Sequence, residues 1–166
     1  MFNQKDVDKK VIIQSSLVGF FIFVVLCLLQ ILDYSLVHPV TITNIDREGL
    51  IEWKIDMVRV DTQYIAITGW AFVLGQEPNN MAVNVVLQNT STQEAIQLPT
   101  ILVDREDINE HYAEEIDYSK SGFLSRVNKY FIELEKDSYE ILLEFVTQGQ
   151  VFYIETDEIL ASSQGD

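Results

Sequence analysis

Tyr64-Ile65-Ala66-Ile67-Thr68-Gly69-Trp70-Ala71-Phe72-Val73 is the stretch that decides the fold. It holds no charge and is rich in β-branched and aromatic residues, so it reads as a strand. Ile65, Ile67, Gly69, Ala71 and Val73 share one face, and Tyr64, Ala66, Thr68, Trp70 and Phe72 share the other. Working outward, Ile51, Trp53, Ile55 and Met57 alternate with Glu52, Lys54 and Asp56, which predicts a half-buried strand. Downstream, Val83, Val85 and Leu87 form the inner face of another strand between the turns 76–80 and 89–93. Ala95 to Val103 reads as one edge strand interrupted at Pro99. Alternation returns over Phe123–Ile132, over Tyr139–Phe145 and over Val151–Glu155. Seven or eight short strands at turn-punctuated intervals predict an all-β, antiparallel β-sandwich, Ig-like or jelly-roll-like.

Asp104 to Lys120 breaks the pattern. It carries Arg105, Glu106, Asp107, Glu110, His111, Glu114, Glu115 and Asp117, with Ile108, Tyr112 and Ile116 four apart, and reads as a short helix or helical loop. Asp107, Glu110, His111 and Glu114 would share a helical face, but an acidic run is ordinarily a solvated surface, and it lacks the glycine and alternating ligands of a calcium loop. No metal and no cofactor is therefore expected. His38 and His111 are the only histidines, and no nucleophile elbow, P-loop or dinucleotide fingerprint occurs, so no enzymatic activity is expected.

The N-terminal end is of a different kind. Val11 to Leu32 contains no charged residue and would reach roughly 33 Å as a helix, against a hydrocarbon core of about 30 Å, so it predicts one transmembrane α-helix ahead of the sandwich. Its length, and the absence of a small-x-small site after it, argue for an uncleaved single-pass signal anchor over a signal peptide. Lys5, Lys9 and Lys10 precede the run and the next basic residue is Arg47, which predicts a cytoplasmic N-terminus and an extracytoplasmic domain at the cell membrane. The expected organisation is 1–10 cytoplasmic, 11–32 transmembrane, 33–49 connector, 50–160 sandwich and 161–166 tail. Cys27 falls inside the apolar run, so the exported part can form no disulfide, which favours a bacterial envelope over an animal cell surface. Ser15 and Gly19, four apart, offer a small-xxx-small face for packing against another helix.

Charge narrows the partners. The chain carries 11 Lys+Arg against 26 Asp+Glu, a net −15. Its first 32 residues are net +1, which leaves −16 beyond them. Such a domain excludes nucleic acid as a partner and prefers neutral or cationic surfaces.

Three short motifs, Gly69-Trp70-Ala71, Arg105-Glu106-Asp107-Ile108 and Gly122-Phe123, fall in this order. They resemble the G-W-A, R-x-D-V, G-F pattern of a small β-sandwich module found beside or within bacterial glycosyltransferases and other cell-surface polysaccharide assembly proteins. The likeness covers Tyr64 to Val127, with Glu106 where proline is common and no catalytic domain attached. It implies cell-surface polysaccharide biology without implying an activity. One expectation is a non-catalytic accessory subunit, anchored in the bilayer and docked on an integral-membrane polysaccharide-assembly protein. The other is an autonomous glycan-binding module, in which Tyr64, Trp70 and Phe72 form a platform for a neutral sugar and Arg105, Asp107 and His111 line its rim. Against both stand plain structural roles for the same residues: close approach at Gly69, core filling by Trp70 and a local Arg105–Asp107 ion pair.

Overall fold

The computed structural model describes residues 4–35, 37–43, 50–112, 115–147 and 149–161, with side chains on the N-terminal helix described over 14–29. Residues 44–49 of the expected connector, Glu114 of the acidic run and the tail beyond 161 lie outside the described residues.

The N-terminal unit is one helix, α1 (Gln4–Ser35). The expected membrane span is corrected here: among the described residues, no helix is long and apolar enough to cross a membrane. Over 14–29 of α1 the apolar side chains lie uncovered on every side, with Leu17, Phe20, Phe21, Phe23 and Leu26 each more than half exposed.

The second unit, Val37–Asp166, holds two antiparallel sheets. Its strands are β1 (His38–Val40), β2 (Ile51–Val60), β3 (Tyr64–Val73), β4 (Met81–Asn89), β5 (Ala95–Gln97), β6 (Thr100–Val103), β7 (Gly122–Asn128), β8 (Tyr139–Thr147) and β9 (Gln150–Leu160). One sheet runs β1-β5-β4-β8-β9 and the other β2-β3-β7-β6. Between them lies a core in which Ile65, Ile67, Val85, Leu87, Phe123, Ile141, Leu143 and Phe145 are almost wholly removed from water. The alternation that marks the strands in the sequence is the alternation of this inner face.

Four local features depart from the sequence reading. β1 lies in the stretch read as connector and pairs with β5. Ala95–Val103 is two strands in different sheets, not one. The chain crosses between sheets at Leu98-Pro99, where buried Leu98 donates its N–H to the Val85 carbonyl and Pro99, lacking an N–H, ends the first ladder. The Pro99 carbonyl is taken up by Ser125 Oγ at 3.0 Å, which starts the second. β7 stops at Asn128, whose side chain accepts from the Tyr130 N–H and turns the chain into a 3₁₀ turn over Lys129–Phe131. Finally, Ile55 pairs with Gly69 and Met57 with Thr68, so Asp56 is the extra residue of a β-bulge. The bulge shifts Met57 from the expected inner face to the outer one, where it is 45% exposed.

The acidic stretch forms α2 (Glu106–Tyr112), followed by a 3₁₀ turn over Ser119–Ser121. Asn89, first residue of the Asn89-Thr90-Ser91 triplet, is buried, and its side chain accepts from the N–H groups of Ser91 and Thr92. On the outer face of the five-stranded sheet, buried Glu144 accepts from Asn84 at 2.8 Å and from Tyr153 at 2.9 Å. Burial, with the Glu144 carboxylate beside it, pushes the Tyr153 hydroxyl up to about 12.

Candidate functional site

The three motifs converge on one end of the β2-β3-β7-β6 sheet. Gly69 and Phe123 are paired neighbours on β3 and β7. A Cβ at Gly69 would collide with the Lys54 carbonyl and come within 2.7 Å of Phe123 Cζ, so glycine is what lets the ring lie across the strand. Gly122 does the same on the outer face. A Cβ there would sit 2.6 Å from Arg105 Cγ, so its absence gives the arginine stem a path over the sheet.

That path ends in an ion cluster. Arg105 donates from Nε to Asp107 Oδ1 at 2.8 Å and from Nη2 to Asp107 Oδ2 at 2.7 Å, while Nη1 donates to Asp56 at the bulge. The bidentate contact fixes the first turn of α2, and the third donor ties it to β2. The Arg105 guanidinium holds the Asp107 carboxyl down at about 2, and hydrogen bonding to Asp107 raises the Arg105 pKa further. A carboxyl with a lowered folded pKa contributes stability in full above the ordinary value near 4, and that contribution is lost as pH falls through about 2. An NMR titration of Asp107 is therefore expected to give a midpoint about two units below 4, rising toward 4 in Arg105→Gln. A midpoint near 4 in the unaltered protein would contradict the clamp.

Beside the clamp, Trp70 and Phe72 project from the outer face of β3 and are covered. Their rings stack at 5.7 Å. Tyr112 of α2 lies 5.8 Å from Trp70 and 5.1 Å from Phe72, and Tyr118 lies 4.2 Å from Phe72. The cover is pinned at both ends: Tyr118 donates its N–H to Asn109 Oδ1 at 2.8 Å, and its hydroxyl accepts from the Gly75 N–H at 3.0 Å. Trp70 is 7% exposed and Phe72 not at all. The expected sugar platform is thereby corrected: these two rings are part of the hydrophobic core, buried beneath Tyr112 and Tyr118, and present no face to a ligand.

The remaining expected residues are dispersed. Tyr64 lies on the same sheet face but at the other end, with the Arg126 guanidinium 4.0 Å and that of Arg59 6.0 Å from its ring centroid. His111 is exposed on α2, its ring edge-on to Tyr112 at 4.8 Å. Ser15 and Gly19 lie on α1, and nothing comes within 4 Å of a Cβ at Gly19. Among the described residues, no group of three or more His, Cys, Asp or Glu is placed to hold a metal ion. An open groove of about 780 Å³ lies near the β2–β3 turn, lined by Gln63, Asn128, Lys129, Tyr130 and Lys136 among others.

Sequence reasoning missed Asp56, Tyr112 and Tyr118 as parts of the cluster. For Asp56 a signal existed. The apolar phase slips from Ile51, Trp53 and Ile55 to Val58 and Val60, which marks a bulge between. For the tyrosines no local pattern says which surface a loop will cover.

No family model matches the chain, and no curated protein matches it. Among solved structures, a crystal structure of S. aureus TarS is similar at 13% identity with a TM-score of 0.45, and the match takes in 63% of this chain and 16% of that one.

Proposed function

We propose that this chain is a non-catalytic accessory subunit of bacterial cell-surface polysaccharide assembly, held at the envelope by docking its helix and sandwich on an integral-membrane glycosyltransferase or transporter. The observation that carries the docking is α1. A helix with apolar side chains exposed all round is unstable in water and needs an apolar partner to cover it. Ser15 and Gly19 supply the small positions at which a second helix can approach closely. The polysaccharide context rests on the G-W-A, R-x-D-I and G-F motifs, of which Trp70, Arg105, Asp107 and Gly122 attach α2 to the sheet.

Affinity purification of the full chain in mild detergent tests this. It is expected to recover an integral-membrane polysaccharide-assembly enzyme or transporter, with recovery reduced about tenfold by Gly19→Leu, which fills the approach face. Recovery of this chain without such a partner would overturn the reading.

A further inference from the structure

We infer that copies of this chain associate head to tail, the outer face of the β2-β3-β7-β6 sheet of one copy seating on the β8–β9 corner of the next. The first surface is the half of the outer face left open by α2. Met57, Thr68, Leu124 and Ile101 form one row across all four strands, and Arg59, Ala66 and Arg126 form the next. Met57 and Ile101 are nearly half exposed. Beyond them lies Tyr64, stacked under Arg126. No carboxylate stands in these rows, and Asp61 at the adjoining turn is paired with Arg59 at 3.2 Å. In a domain carrying −16, an acid-free field with two guanidiniums, a tyrosine and an exposed apolar row has the composition of an interface and the opposite sign to the rest of the surface.

The second surface is its complement. Glu140, Glu155, Asp157 and Glu158 surround Ile159, which is 61% exposed, at a kink where Asp157 adopts φ +58°. Opposite charge flanks an apolar centre on both surfaces, and they belong to different sheets.

Symmetry then selects the mode. A two-fold dimer through the first surface would bring four guanidiniums together against only the two Asp61 carboxylates that pair with Arg59, a net like-charge juxtaposition that disfavours it. Joining unlike surfaces of successive copies avoids this and makes open chains. The sheet half measures roughly 14 Å by 20 Å, well below the ~800 Å² per partner of a standard interface, so the association is weak.

Sedimentation velocity of the full chain in a nonionic detergent reads it. The mass is expected to rise with protein concentration up to about 1 mM and to fall as salt is raised from about 50 mM to about 500 mM. R59E/R126E and E155K/E158K are each expected to weaken association about tenfold or more, and R59Q/R126Q by less. Mixing the two charge-reversed variants joins the intact surface of each and sets opposite charges against each other at the other joint, so it is expected to restore a growth of mass that neither variant shows alone, which also shows that both are folded. A mass that stays monomeric at every concentration, association unaltered in R59E/R126E, or a mixture that regains no growth of mass would each overturn the inference. None of these outcomes depends on an envelope partner.

Discussion

Gly69→Ala is expected to destabilise the sandwich by about 3 kcal/mol, at the upper end of what one added carbon costs in a packed interior. The size follows from what the new atom meets. Its nearest neighbour is the backbone carbonyl of Lys54, held by the β2–β3 ladder, and the next is Phe123, wholly buried between the sheets with no space to turn into. Neither can yield without moving a strand. At roughly 4 °C per kcal/mol for a domain of this size, the melting temperature should fall by about 12 °C. Gly75→Ala is the comparison. There a Cβ meets nothing, and the cost is the left-handed backbone alone, φ +80°, about 1 kcal/mol. Equal losses in the two variants would show that close approach at Gly69 is not what the glycine serves.

The contrast explains what the sequence could and could not reveal. Side chains on one face of a strand recur every second residue, so β3, β4 and β8 were readable from Ile65, Ile67, Val85, Leu87, Ile141 and Leu143, all of which face the space between the sheets. Where the chain obeys a different constraint the reading failed. Pro99 was readable as a break in a ladder, but that the break carries the chain from one sheet to the other is set by Leu98 packing into the core, a long-range contact. The apolar run of 11–32 was readable as a segment that avoids water, and the inference from avoidance to a membrane span did not hold for the described helix.

The candidate site divides in the same way. The Arg105–Asp107 pair was legible because its partners are two residues apart, whereas Asp56, which makes the pair into a clamp, is 49 residues away and reached only through the bulge. The shared face of Tyr64, Trp70 and Phe72 was legible from parity. Which part of that face is covered depends on where the 104–121 excursion returns. It returns over Trp70 and Phe72 and leaves Tyr64 to Arg59 and Arg126. A single row of aromatic residues thus serves two ends, one closed and structural, the other open.

Trp70→Ala tests that division and is expected to cost about 3 to 5 kcal/mol, the range for deleting a large buried aromatic side chain. The indole is 7% exposed and lies against Phe72 and Tyr112, so its removal leaves a void beneath α2 that the clamp at Arg105 prevents from collapsing. The melting temperature should fall by about 12 to 20 °C. The loss should also be local. Amide exchange in the described residues of 105–121 should accelerate more than in β4 and β8, because α2 and the Ser119–Ser121 turn lose the surface they pack on while the inner core keeps Phe123 and Phe145. Trp70→Phe keeps an aromatic ring against Phe72 and should recover more than half of the loss. A ligand platform would behave in the opposite way, with Trp70→Ala leaving the melting temperature within about 2 °C and changing only saccharide binding. Such a result would mean that the ring is freed from Tyr112 in solution, and the closed end of the sheet would then have to be counted as binding surface.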